Sequence, residues 1–236
     1  MSLPGAGLGS FLGRPRRSTP AVVPHTARQR ALTHMAASVL LDYPSAQALA
    51  KYPVVEAELD HLPRPLRDRL ATYLGHARHV GAGRLAEEYV ETFDLKRKCS
   101  LYLSYYLTGD TRKRGTALVT FIEAYRAAGY EFDANELPDF LPVVLEFSAL
   151  GDPEVAGVLL GSHRQGLEVL REALEDMKSP WAAVVAAVTL TLPRVDERTR
   201  QRTLDLIAGG PPTEMVGVDA LGPREPLVPA ASPTLE

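Results

Sequence analysis

Cysteine is almost absent from this chain: Cys99 stands alone in 236 residues. That excludes an internal disulfide and a cysteine-cluster metal site, and it fits a reducing compartment. No apolar run approaches the roughly 20 residues that a membrane-spanning helix needs, so direct membrane insertion is not expected. A basic excess is missing too, with 26 Lys and Arg against 29 Asp and Glu and a formal net charge of −3. General nucleic-acid binding is therefore not expected. Catalytic signatures are equally scarce, since no GxSxG, Walker loop, HExxH or paired-cysteine motif occurs. These absences predict a cytoplasmic protein that is not an enzyme and holds no stoichiometric metal or cofactor of its own.

What is present divides into two tails and a middle. Residues 1–24 carry four glycines, four prolines and three arginines, with no acid and no apolar periodicity. Residues 209–236 are again rich in Pro and Gly. Both are expected to be disordered, which leaves 25–208 as one domain. Arg16-Arg17 invites an export reading, but prolines rather than an apolar stretch follow, so none is expected. Gly5, Gly7 and Gly9 follow no strand and open no helix, and they read as linker.

The middle has the period of helices. Leu32, Met35, Ala36, Val39, Leu40 and Tyr43 share one face, and Pro44 stops the run. Leu62, Leu66, Leu70, Tyr73 and Leu74 form a second face. A third runs from Leu95 through Cys99, Tyr102, Leu103 and Tyr106 to Gly109, and a fourth from Leu118 to Tyr125 before Gly129. Asp133 and Glu136 have capping-box spacing, and Asp139 is placed to cap a helix with Pro142 in its first turn. Leu167, Leu170, Leu174 and Met177 mark another face. Ser179-Pro180 reads as a cap before a helix that runs from Trp181 towards Pro193, and Leu204 and Ile207 suggest a last one. No stretch alternates with period two. The fold class is all-α, a single domain of roughly eight helices.

His76 and His79 stand at i, i+3, a possible metal edge with no second pair to complete it. They read as surface or helix-end histidines, the alternative being a small helical metal protein. Cys99 has Lys96, Arg97 and Lys98 beside it, which favours thiolate, yet its place on the apolar face reads as a buried structural thiol. More distinctive are two bands of acids among aromatics. Glu87, Glu88, Tyr89, Glu91, Phe93 and Asp94 form one; Asp133, Glu136, Asp139, Phe140, Glu146 and Phe147 form the other. Such a mixture is either an ordinary amphipathic surface or a groove with apolar walls and a carboxylate rim for a basic partner helix.

Tyr89-Val-Glu-Thr-Phe93-Asp94, Ser100-Leu-Tyr-Leu-Ser104, Thr108-Gly-Asp-Thr-Arg-Lys-Arg-Gly115 and Glu136-Leu-Pro-Asp-Phe-Leu-Pro142-Val-Val-Leu-Glu-Phe147 resemble the delta-subunit family of respiratory nitrate reductases. These NarJ-type molybdenum cofactor assembly chaperones form part of the all-helical redox-enzyme maturation chaperones. Val39-Leu-Leu-Asp-Tyr-Pro44 fits the same pattern, and the likeness runs from about residue 31 to 192. The resemblance implies a chaperone that binds the N-terminal segment of the immature catalytic (alpha) subunit, with cofactor-delivery proteins as further partners. The client then receives molybdopterin guanine dinucleotide and iron–sulfur clusters before membrane attachment. Another molybdenum oxidoreductase is the alternative client. The implied peptide-site residues are Tyr89, Glu91, Thr92, Phe93, Asp94, Tyr102, Glu136, Pro138, Asp139, Phe140 and Glu146, with the tyrosine face around Tyr102, Tyr105 and Tyr106 in reserve. Many relatives carry histidine directly after the Pro-Asp pair; here Phe140 stands there, so a role for that histidine does not transfer.

Overall fold

A computed structural model describes residues 21–108, 112–132 and 136–192. The expected tails, Asp133 and the helix around Leu204 and Ile207 lie outside the described residues, apart from Ala21 to Pro24. Among the described residues the architecture is all-α: α1 (Ala27–Leu41), α2 (Ala46–Leu49), α3 (Tyr52–Glu58), α4 (Arg64–Tyr89), α5 (Tyr105–Thr108), α6 (Lys113–Ala127), α7 (Leu141–Leu150), α8 (Pro153–Ser162), α9 (Arg164–Asp176) and α10 (Trp181–Thr189). Two of these, α2 and α5, are single turns, which leaves eight longer helices. The Gln29 side chain completes a capping box with Thr26 at the start of α1. At α8, Asp152 caps by accepting from the N–H groups of Glu154 and Val155 at 2.7 and 3.0 Å.

The core is centred on α10, which is Ala- and Val-rich on every side and packs against α1, α4 and α9. Trp181 is fully buried, and its indole N–H donates to the Leu40 carbonyl of α1 at 3.0 Å. α1 lies alongside α7 in the opposite direction: the Ser38 hydroxyl donates to the Pro142 carbonyl, and His34 meets Ser148. Leu66, Leu70 and Tyr73 on α4 are wholly buried, as their spacing predicts. Burial of each such side chain contributes about 1.5–3 kcal/mol. α4 bends at Gly81, whose φ of 75° and ψ of 169° suit glycine alone.

Several expectations are corrected. The continuous third helix from Leu95 does not form; Leu95 is 68% exposed, and only a 3-10 turn (Arg97–Cys99) and α5 are helical there. Between them the backbone extends to pair with the chain before α7. Leu103 N–H donates to Asp139 O at 3.0 Å, and Leu141 N–H to Leu101 O at 2.8 Å. These bonds are what helix periodicity cannot register. On α1 the buried residues are Thr33, His34, Ala36, Ala37, Ser38, Leu40 and Leu41; of the expected face Ala36 and Leu40 are buried, Leu32 and Val39 pack half-buried on the core, and Tyr43 is exposed. Asp139 does not cap α7: Phe140 occupies the cap position without a side-chain bond. Nor does Ser179 cap α10. Its N–H closes α9 onto Leu174 O at 2.9 Å, with Lys178 in the left-handed conformation. Met177 at the end of α9 is exposed rather than core. Gly151-Asp152-Pro153 both ends α7 and starts α8, a helix the apolar spacing left unmarked.

Candidate functional site

The site begins where α4 ends. Its last turn passes into a π-helical turn, Val90–Asp94, and the extra residue per turn swings the following side chains round. Tyr89 and Phe93 pack with ring centroids 4.7 Å apart, and each lies against Trp181, at 5.6 and 5.3 Å. Tyr43, from the loop after α1, adds an edge-on contact to Tyr89 at 5.4 Å. The Tyr89 hydroxyl donates to Leu41 O at 3.1 Å, locking this wall to the end of α1.

The opposite wall is the short antiparallel pairing of 101–103 with 139–141. One isolated bridge links Tyr102 and Phe140, whose rings are 5.4 Å apart. Beneath it the buried Asp139 carboxylate accepts from the Ser104 N–H at 3.1 Å and the Ser104 hydroxyl at 2.5 Å. The buried Pro138 carbonyl accepts from the Tyr125 hydroxyl at 2.6 Å. Asp139 and Pro138 thus hold three chain segments together and do not reach a rim. Glu136 does, being exposed, and it accepts weakly from the Tyr102 hydroxyl at 3.4 Å. The Arg114 guanidinium of α6 sits over the Tyr102 ring, 5.3 Å from its centre.

Between the walls lies a cleft of about 430 Å³. It brings together six of the expected residues, Tyr89, Phe93, Asp94, Tyr102, Glu136 and Phe140. Tyr105, from the reserve tyrosine face, also lines it, as do Asp42, Tyr43, Arg97 and Arg114, which were not expected at the site. The motif Val39 to Pro44 held the only signal for the first two, and it was legible just as a helix end. Asp42, Asp94 and Glu136 give the cleft a negative bias that Arg97 and Arg114 partly offset. Burial above all, then the charges of Asp42 and Asp94, pushes the Tyr89 hydroxyl well above its ordinary value.

The remaining expected residues fall elsewhere. Thr92 is buried, and with Glu91 it borders a neighbouring hollow beside His76, Glu88, Lys96 and Ser179. There His76 Nε2 lies 2.7 Å from a Glu88 carboxylate oxygen. Glu146 borders a smaller groove between α1 and α7. No group of three or more His, Cys, Asp or Glu is placed to hold a metal among the described residues. Cys99 is fully buried with its thiol 3.6 Å from the Met177 sulfur, and burial raises its pKa despite Lys96. The Tyr106 hydroxyl is committed to the Lys98 and Ser100 carbonyls, which removes it from the reserve tyrosine face. No described helix is long and apolar enough to cross a membrane.

A family model described as nitrate reductase delta subunit matches residues 59–187. The nitrate reductase-like protein NarX of Mycobacterium tuberculosis is 41% identical over 155 residues, which is 66% of this chain but 23% of NarX. A probable nitrate reductase molybdenum cofactor assembly chaperone, NarJ of Bacillus subtilis, is 29% identical over 170 residues, covering 72% of this chain and 92% of that protein. The Escherichia coli K12 chaperone NarJ is 32% identical over 115 residues, about half of each chain (48% and 49%).

Proposed function

The chain belongs to the nitrate reductase delta subunit family, and on that premise we propose that it is a molybdenum cofactor assembly chaperone for a nitrate reductase. It binds the N-terminal segment of the immature catalytic subunit and releases it once molybdopterin guanine dinucleotide and iron–sulfur clusters are in place. It catalyses no reaction and carries no cofactor of its own; the metal groups are the client's. Its place of action is the cytoplasm. The observation that carries this reading is the cleft, whose aromatic wall is anchored on Trp181 and whose mouth holds Asp42, Asp94 and Glu136. Apolar walls bury one face of an amphipathic helix, and carboxylates at the mouth orient its basic residues.

Phe93, half-buried, is the side chain best placed to bury a partner residue without itself being core. Calorimetry of a synthetic client N-terminal peptide against wild type, Phe93→Ala and Glu136→Gln tests the reading, with folding checked by circular dichroism. Phe93→Ala is expected to weaken binding by about 2 kcal/mol, as an interface anchor does. Glu136→Gln is expected to cost on the order of 1 kcal/mol or less, an effect that shrinks as salt is raised. Equal affinity in every folded variant would contradict the assignment of the cleft.

A further inference from the structure

The cleft does not end at Phe140. Asp42, Glu136 and Phe140 also line the smaller groove between α1 and α7, which continues over Met35, Val39 and Val143 to Glu146. Its three acids, Asp42, Glu136 and Glu146, are exposed and form no salt bridge among the described residues, and Lys51 is the groove's single basic residue. The groove therefore runs back along α1 from the cleft, towards the end of α1 at which the chain enters the domain. Val23 N–H is pinned there to Leu190 O at 2.9 Å, and Thr26 caps the helix.

Twenty residues precede Ala21, the first described. They contain Arg14, Arg16 and Arg17, no Asp or Glu, and the apolar pair Phe11-Leu12. This is the charge complement of the groove, on the same polypeptide. Reach permits it as well. Arg17 and Arg14 stand four and seven residues before Ala21, so the chain lets them lie at most about 13 and 23 Å from it. Along α1 the groove spans Met35 to Asp42, about 12 to 22 Å from the start of the helix.

We infer that the chain's own N-terminal segment, through Phe11 to Arg17, occupies the α1–α7 groove and reaches into the mouth of the cleft, where it competes with the client. The inference rests on the proposed client site, whose mouth it shares. Tethering makes the contact intramolecular, so weak ionic and apolar contacts suffice for substantial occupancy. A basic client segment then displaces the tail, and the empty chaperone does not expose an acid-rimmed apolar cleft to unrelated basic proteins.

Disulfide trapping in the full-length chain tests this without any client. Cysteines introduced by Pro15→Cys and Val143→Cys leave every charge in place; Pro15→Cys with Val169→Cys, on the exposed side of α9, is the control. The native thiol, Cys99, is buried. Under mild oxidation the 15–143 bridge should form within one chain, about fivefold more than the 15–169 bridge, and the excess should fall with added salt. Comparable trapping at both positions, or a 15–143 bridge found only between two chains, would overturn the inference. A second measurement separates it from the client reading. The full chain carrying Arg14→Glu, Arg16→Glu and Arg17→Glu should bind the client peptide about threefold more tightly, as expected when a competing state is removed. Unchanged peptide affinity in this variant would refute the competition while leaving the client site intact, whereas preferential trapping in a chain that binds no client peptide would leave the tail in the groove and refute the client.

Discussion

At the residue scale, His34 is the most telling side chain. It is buried in α1 between the Ser148 and Thr191 hydroxyls, 2.8 Å from Nδ1 and 2.7 Å from Nε2. Thr191 already donates to Val188 O at 2.7 Å, so it accepts from Nε2–H and leaves Nδ1 to accept from Ser148. The ring is thereby held neutral. Burial, with Arg30 and His25 adding to it, lowers the pKa from the ordinary 6.5 to about 3. The unfolded chain then binds the extra proton between those values, so the contribution is intact above about pH 6.5 and is lost as pH falls towards 3. Stability should decline by up to about 1.4 kcal/mol per pH unit in that window from this group alone. Denaturant titrations at stepped pH should show a shallower slope for His34→Asn, and an identical slope would refute the assignment. Cys99→Ser should cost about 1–3 kcal/mol, because a hydroxyl at a fully buried site without an arranged partner is left unsatisfied. Client-peptide affinity should survive unless the thiol has a role beyond packing. A third residue, Gly166 on α9, admits Tyr106 so closely that an added Cβ would lie 2.7 Å from the Tyr106 Cβ. Gly166→Ala should therefore destabilise by about 1–3 kcal/mol in chemical denaturation.

At the scale of elements, the sequence was legible where one helix face alone meets the core. The Leu66, Leu70, Tyr73 face, the Leu167, Leu170, Leu174 face and the first-turn proline of α7 all lie where their spacing put them. It was illegible where a segment's partner is remote. Residues 100–103 carry helix-like spacing, yet the Leu103 N–H and the Leu101 carbonyl are satisfied by residues 139 and 141, and no local pattern encodes that exchange. The same remoteness hid Asp139, whose Ser104 contacts join positions 35 residues apart. The aromatic half of the site could be read as an i, i+4 pair in Tyr89 and Phe93, because both sit on one continuous turn of chain. Asp42, Arg97 and Arg114 could not, as each arrives from a different element. The pairing itself gives a prediction. Asp139→Asn keeps an acceptor for Ser104 and should fold, while Asp139→Ala strands two buried donors and should lower stability by about 2 kcal/mol or more, read by thermal melting.

At the scale of the whole molecule, the core helix α10 links the fold to the function. Trp181 ties α1 through Leu40 and braces Tyr89 and Phe93 from behind, so the cleft wall is an outgrowth of the core rather than a mobile loop. A preorganised wall loses little entropy on engaging a peptide, which suits the proposed role of holding a client segment and later releasing it. The most direct test of that role is the molybdenum content of the nitrate reductase itself. The client is purified from cells making this chain, from cells lacking it, and from cells making Phe93→Ala, and metal per polypeptide is measured by mass spectrometry. The account predicts near-stoichiometric molybdenum with the wild-type chain, a several-fold loss without it, and an intermediate value with the variant. Fully loaded nitrate reductase from cells that lack the chain would contradict it.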